Sequence, residues 1–295
     1  MFSRRHPYLF FILIFSSITA VATLGITLLI LIGTKSSDLK FGEKVGIIEI
    51  TGIITDSKSV IHNLKSFRED NSIKAIVLRI DSPGGGVGPA QEIFREIRKT
   101  VGVKKIVASM GAVAASGGYY IAAGTDGIVA NPGTITGSIG VIIRFANFED
   151  LLSKIGLTPV VVKSGEYKDM GSPVRKMTKE ERKILQNFVD QIHKQFIIAV
   201  AEGRNMDQSK VEPLADGRII TGEEAKNLGL IDRIGNLEDA VEWAGRMAGI
   251  EGKISTVYAR KKKLPLLKYI IDSTLKDLVN DISNPHIWGG YLYRP

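Results

Sequence analysis

Two glycine-rich segments in the first half of the chain have the composition of anion-binding loops. The segment DSPGGGV at 81–87 directly follows a β-branched run, and SGGYY at 116–120 opens a run of small residues. Glycine lets the backbone approach a ligand closely, and the first turn of a helix leaves N–H groups without intrahelical acceptors. Such N–H groups can hold an anion or a developing oxyanion. Neither segment matches GxxxxGK[ST] or GxGxxG, so phosphate and dinucleotide binding gain no support.

Ser116 begins the second segment, and its hydroxyl has two interpretations. A lone serine before a helix usually serves only as the N-cap. A hydroxyl at a helix N-terminus, next to the N–H of Gly117, also has the geometry of an acyl-transfer nucleophile. The second interpretation requires a base that takes the hydroxyl proton.

Lysine is the candidate base that the composition leaves. The chain has no cysteine and four isolated histidines, at positions 6, 62, 193 and 286. The absence of cysteine excludes disulfides, a thiol nucleophile and thiolate zinc sites, and no histidine lies in a triad motif. We expect no metal and no cofactor. A lysine amine becomes a base if burial lowers its pKa from about 10.4 toward about 7–8, but composition does not single out one lysine.

An α/β fold is expected to position these loops. Strands are predicted at 45–50, 73–80, 105–109 and 127–130, with helices around 60–67, at 87–100 and at 116–123. This alternation predicts a parallel-rich sheet covered by helices, with the site at the carboxyl ends of the strands. Capping-box patterns predict the starts of two further helices. Thr178 with Glu181 begins a long helix, and Thr221 with Glu224 begins another.

The N-terminal segment predicts one transmembrane helix. No Asp, Glu, Lys or Arg lies between Arg5 and Lys35, and residues 9–32 would span about 36 Å as a helix. A cleaved signal has a shorter apolar region, so a retained anchor is favoured. Arg4 and Arg5 predict a cytoplasmic N-terminus. The expected divisions are a cytoplasmic start at 1–7, an anchor at 8–33, a stalk at 34–44, a main domain at 45–250 and a tail at 251–295.

The net charge of +8 does not predict nucleic acid binding, because basic and aromatic residues are not interleaved. The tail carries a basic cluster at 260–263, an amphipathic stretch at 266–282 and an aromatic end. It is either a docked terminal helix with a frayed end, or a segment that adds a strand to a neighbour or occupies a substrate groove.

Five ordered motifs resemble the short, membrane-anchored, single-repeat form of bacterial signal peptide peptidase A, the protease IV family. This family is related in fold to the caseinolytic protease and crotonase superfamily. The motifs are DSPGGGV at 81–87, MGAVAASGGYYIA at 110–122, NPGTITGSIGV at 131–141, SGEYKDMGSPVRKMTKEER at 164–182 and ADGRIITGEEAKNLGLID at 215–232.

The resemblance implies a Ser/Lys dyad with Ser116 as nucleophile and Lys168 as general base. It implies an oxyanion hole made by the N–H groups of Gly117 and Gly85. It also implies that Ser138 orients the lysine amine.

One neighbour of the implied base is a physical complication. The carboxylate of Asp169, next in the chain, would favour the charged amine if it lay close to it. We expect the Asp169 side chain to point away.

The implied activity is that of a serine endopeptidase in the bacterial inner membrane. Its domain at 45–250 would hydrolyse remnant signal peptides outside the cytoplasm, binding extended apolar peptides by strand addition. Homo-oligomers would share each active site between neighbouring subunits. Three alternatives stay open: a non-catalytic tethered binding or assembly module, acyl transfer on coenzyme A, and general clearance of misfolded envelope proteins. An extracytoplasmic location disfavours the coenzyme A alternative.

Overall fold

The computed structural model describes residues 7–35, 43–259 and 290–292. They belong to two compact units, divided between residues 42 and 43. Residues 1–6, most of the expected stalk, the basic cluster at 260–263 and the amphipathic stretch at 266–282 lie outside the described residues. The first unit contains one helix, α1 (Pro7–Lys35). None of the helices formed by the described residues has the combined length and apolar character that a membrane crossing requires.

The second unit is built on a mixed, mainly parallel sheet of eight strands. Their order is β7-β6-β4-β2-β1-β9, with β5 between β4 and β8, and only the pair of β6 with β7 is antiparallel within it. A separate antiparallel pair joins β3 and β10. The strands are β1 (Lys44–Thr51), β2 (Ile73–Ser82), β3 (Gly84–Gly86), β4 (Lys105–Ala114), β5 (Gly127–Ala130), β6 (Ile135–Gly137), β7 (Ile219–Thr221), β8 (Arg233–Ile234), β9 (Ser255–Tyr258) and β10 (Gly290–Leu292).

Helices connect the strands and cover the sheet. They are α2 (Lys58–Glu69), α3 (Val87–Val101), α4 (Gly117–Ala123), α5 (Glu149–Lys154), α6 (Lys179–Arg204), α7 (Gln208–Val211), α8 (Gly222–Asn227) and α9 (Leu237–Met247), with a short 3₁₀ turn at Glu212–Leu214.

Alternation along the central strands explains why both faces of the sheet are covered. Ile48 and Leu78 belong to a large apolar cluster shared with α2, α3, α4 and α6. Ile47 and Val77, which point to the opposite face, belong to a second cluster with α9. A parallel strand buried on both faces is a near-continuous apolar run, which is the pattern that predicted β1 and β2. The predicted mixed α/β fold with a parallel-rich sheet is confirmed.

Most differences from the predicted elements concern strand ends and short strands. β4 continues to Ala114, five residues past its predicted end, because it pairs with β2 as far as Ser82. The capping box of Thr178 and Glu181 is present in both directions. At Thr221 only the forward bond from the N–H of Glu224 is recorded. Residues 255–258 join the sheet beside β1 as β9.

Candidate active site

The two glycine-rich segments meet at the carboxyl ends of β2 and β4. The N–H of Ala115 donates to the carbonyl of Ser82 at 3.1 Å, and the N–H of Val113 donates to Asp81 Oδ1 at 3.1 Å. A Cβ on Gly118 would lie 2.9 Å from the Ser82 carbonyl oxygen. Only glycine therefore lets α4 start so close to the end of β2. The strand ends thus bring α4, which begins directly after Ser116, into contact with β3.

Ser116 is held in a strained backbone conformation in the interior. It is 1% exposed, with φ 52° and ψ −118°. Its N–H donates to the carbonyl of Gly137 at 2.9 Å, and its own carbonyl accepts from the N–H of Tyr120 at 2.8 Å. An ordinary N-cap has extended φ and ψ and accepts a helix N–H with its side chain. Ser116 does neither, so capping does not explain it.

Ser138 is a second outlier next to the first. Its φ is 50°, and its N–H donates to the carbonyl of Arg218 at 2.7 Å. It follows Gly137, whose carbonyl accepts the N–H of Ser116. Within the described residues, the third non-glycine residue with positive φ is Asn205, which ends α6 in the usual left-handed cap. Unusual backbone is thus concentrated where Ser116 and Ser138 adjoin.

Gly85 lies in the middle of β3, between two other backbone segments. On one side, the N–H of Ile54 donates to Gly84 at 2.9 Å and its carbonyl accepts from Gly86 at 2.8 Å. A Cβ on Gly85 would lie 2.2 Å from the carbonyl oxygen of Ile54, so no side chain fits.

On the other side of β3 lies a segment of the tail. β10 pairs antiparallel with β3, with Tyr291 opposite Gly85, and it also contacts α4. Residues 290–292 therefore add a strand to the glycine-rich loop of their own chain.

Gly117 is the first residue of α4 and is buried. Its N–H belongs to the helix turn that has no intrahelical acceptors. The structure therefore brings Ser116, Gly117, Ser138 and β3 into one region at the carboxyl edge of the sheet.

Lys168 is placed differently, on an exposed turn between α5 and α6. Its N–H donates to the carbonyl of Gly165 at 3.2 Å. No hydrogen bond or ion pair within the described part of the chain joins Lys168 to Ser116. The carboxylate of Asp169 is bound by other groups, accepting from Arg175 Nε at 2.8 Å and from Lys163 Nζ at 2.6 Å. Within the described residues no ion pair joins it to Lys168, in line with the expectation that it points away.

Asp169 belongs to an ion-pair network in which Arg175 binds both Asp169 and Glu181. The sequence motifs did not predict this network. Hydrogen bonds from Arg175 and then Lys163 lower the pKa of Asp169 well below its usual range. Hydrogen bonds from Arg175 and the N–H of Thr178 lower the pKa of Glu181 to about 2. The sequence feature that could have indicated this network is the spacing, because Arg175 lies six residues from each of the two acidic residues.

No group of three or more His, Asp or Glu side chains among the described residues is arranged to hold a metal ion.

The first part of this fold matches the Clp protease family, whose sequence profile aligns with residues 41–135. The fold also resembles a solved membrane-bound stomatin-specific protease, 1510-N, with a TM-score of 0.50 and 18% identity over 75% of this chain and 99% of that one. These similarities define the class as a Clp-protease-like α/β fold.

The profile of peptidase family S49 matches residues 98–251, more than half of the 295 residues. A putative protease of Synechocystis is 43% identical over 81% of this chain and 88% of its own length. A putative signal peptide peptidase SppA of Enterococcus faecium is 42% identical over 68% and 62%, and Protease 4 of Haemophilus influenzae is 34% identical over 69% and 35%. The chain therefore belongs to peptidase family S49 and is a serine-type peptidase, which confirms the resemblance drawn from the motifs.

Proposed function

We propose that the chain is a membrane-anchored serine endopeptidase with Ser116 as nucleophile and Lys168 as general base. The observation that carries the proposal is the strained, buried Ser116 at the start of α4, beside a glycine strand already paired with an extended segment. Strained backbone that the surroundings hold in place is concentrated at functional sites. The position of Ser116 as N-cap of α4 does not explain the strain, because its side chain makes no capping hydrogen bond.

In the proposed reaction, Ser116 Oγ attacks the scissile carbonyl while the neutral amine of Lys168 takes the hydroxyl proton. The carbonyl oxygen becomes an oxyanion held by the N–H groups of Gly117 and Gly85. The ammonium then gives the proton to the leaving amine, and an acyl-enzyme remains. Water, deprotonated by the same amine, hydrolyses this ester and regenerates Ser116. The hydroxyl of Ser138 orients the amine.

We place Lys168 against Ser116 of a neighbouring subunit in a homo-oligomer. Lys168 is exposed, and no hydrogen bond found among the described residues joins it to Ser116 of its own chain. The segment before it exposes apolar side chains, including Val160 at 86% and Val162 at 96%. Contiguous exposed apolar residues mark interaction sites. Covering this segment with a second copy would bury both it and the amine, and burial favours the neutral amine.

The proposed substrates are extended apolar peptides, including signal peptides left after cleavage. β10 on β3 supports this mode, because an antiparallel strand fits along Gly84–Gly86 without a clash. Main-chain pairing gives affinity for any extended peptide, while neighbouring pockets select side chains.

We further propose that the N-terminal segment anchors the protein in the bacterial inner membrane, with the peptidase domain outside the cytoplasm. The support is the uncharged stretch between Arg5 and Lys35 and its predicted length of about 36 Å. Protease digestion of spheroplasts is expected to remove the domain beyond Lys35. A fully protected domain would overturn this topology.

The dyad is tested with a fluorogenic peptide of small apolar residues, on the full chain in detergent. Ser116→Ala and Lys168→Ala are each expected to lower kcat by at least about 10³-fold, with thermal unfolding and oligomer size unchanged. Lys154→Ala is the matched control, because it removes an exposed lysine at the end of α5 and leaves both Lys168 and the Asp169 network intact. Near-normal rates in Lys168→Ala would disprove the assignment of the base.

A further inference from the structure

We infer that Arg175 is a positioning residue for Lys168: it fastens the turn that carries Lys168 to helix α6 and keeps the carboxylate of Asp169 turned away from the amine. The inference rests on the proposed role of Lys168. Asp169 directly follows the proposed base in the chain, so its carboxylate could either face the amine of Lys168 or be turned away from it.

All five N–H donors of the Arg175 guanidinium are used. Nε donates to Asp169 Oδ2 at 2.8 Å, and Nη2 donates to the Asp169 carbonyl at 3.2 Å. Nη1 donates to Glu181 Oε2 at 2.9 Å and to the carbonyl of Lys176 at 3.1 Å. The remaining Nη2 hydrogen donates to Glu181 Oε1. One side chain therefore binds both the backbone and the carboxylate of the residue after Lys168.

Glu181 makes this contact a link to the core. Its side chain is 3% exposed, and its carboxylate also accepts the N–H of Thr178 at 2.9 Å as part of the capping box of α6. Helix α6 is fixed in turn by Phe196, which is fully buried in the main cluster. The Lys168 turn is thus tied through Arg175 to a packed helix. An isolated surface ion pair contributes little, but this one is bidentate and partly buried.

The charged groups facing the Asp169 carboxylate come from two segments. Lys163 of the same loop lies 2.6 Å away, and Arg175 of the segment leading to α6 lies 2.8 Å away. Glu181 of α6 lies behind the guanidinium. The ammonium of Lys163 is also held by the carbonyl of Glu166 at 2.7 Å. With both oxygens bound, the carboxylate is neutralised and oriented within its own network.

The consequence concerns the protonation of the base. A free carboxylate on the residue after Lys168 would favour the ammonium form and oppose its use as a base. Arg175 removes this influence and, through the backbone bond to Asp169, also sets where the turn lies. Both effects matter only if Lys168 has to be neutral in the reaction.

The test compares the pH dependence of kcat/KM in the full-length wild type and three variants. In Arg175→Met, the midpoint of the alkaline rise is expected to move up by about one pH unit, with kcat/KM about tenfold lower below it. In the double variant Arg175→Met with Asp169→Asn, the midpoint is expected to return to the wild-type value, because the freed carboxylate is gone. Arg246→Met is the matched control, since it removes an arginine from an exposed pair with Glu242, and its profile is expected to stay unchanged.

The outcomes separate a positioning role from a merely structural one. Lower activity in Arg175→Met with an unmoved midpoint, or a moved midpoint that Asp169→Asn does not restore, would overturn the inference. If Arg175→Met does not fold, Arg175→Lys takes its place, because one ammonium can neutralise Asp169 but cannot also hold Glu181 in a fork; it is expected to give a smaller shift that Asp169→Asn again restores. Full activity of Lys168→Ala would instead disprove the proposed base itself.

Discussion

The backbone of Ser116 is the feature on which the proposed chemistry depends. At φ 52° and ψ −118° an L-residue is strained, and the conformation persists because both backbone groups are bonded, to Gly137 and Tyr120. In this conformation the Ser116 side chain makes no capping hydrogen bond to α4. The strain is therefore a cost in stability that the surrounding hydrogen bonds offset.

This strain predicts an unusual order of stability between two inactive variants. Ser116→Gly is expected to be about 1 kcal/mol more stable than Ser116→Ala, because glycine tolerates positive φ and this relief exceeds its larger loss of chain entropy. Chemical denaturation of both purified variants measures the difference.

A control with the opposite sign is available at Ser153, an exposed residue of helix α5. There the glycine variant is expected to be about 0.5–1 kcal/mol less stable than the alanine variant. If Ser116→Gly were likewise the less stable of its pair, no strain would be stored at this position.

Elements with strong local signals were predictable, and elements defined by distant pairing were not. β1, β2 and α6 have long apolar patterns or a capping box, so their residues indicate their structure locally. β6 and β7 have three residues each and exist because Ile135–Gly137 pairs with Ile219–Thr221, far along the chain. No periodicity can be read from three residues. β9 and β10 are also short strands defined by distant pairing, with β1 and β3 respectively, and they were not predictable for the same reason.

The pairing of β10 with β3 predicts that the tail competes with peptide substrates. Tyr291 lies opposite Gly85, and proline there removes the backbone N–H that strand pairing uses. Tyr291→Pro is expected to lower KM for an extended peptide about fivefold, equivalent to about 1 kcal/mol for one hydrogen bond, with kcat unchanged. Steady-state kinetics on the full chain measure both constants.

Tyr291→Ala serves as the control, because it keeps the backbone donor and removes only the side chain. It is expected to change KM less than Tyr291→Pro does. A KM that stays at the wild-type value in both variants would mean that the tail does not compete with substrate along β3.

At the scale of the whole molecule, one chain brings together only part of the predicted site. The motifs placed Ser116, Gly117, Ser138 and Gly85 by resemblance, and the sheet joins their segments because parallel strands end at a common edge. Lys168 lies on an exposed turn, and sequence motifs carry no information on which subunit a side chain serves. Which subunit supplies the serine that Lys168 serves therefore depends on the assembly. Combining the two dyad variants in one oligomer can answer this question.

Sharing of sites predicts that two inactive variants restore activity together. In a ring of randomly mixed Ser116→Ala and Lys168→Ala subunits, about one quarter of the interfaces pair an intact serine with an intact lysine, because a head-to-tail contact uses one group from each neighbour. Co-expression with two different tags, followed by two affinity steps, isolates the mixed oligomers. Their peptidase activity is expected to reach about one quarter of wild type, whereas oligomers of either variant alone stay inactive. Mixed oligomers without activity would place both groups of each dyad in the same subunit, and the exposed turn would then have to fold back onto its own β3 during catalysis.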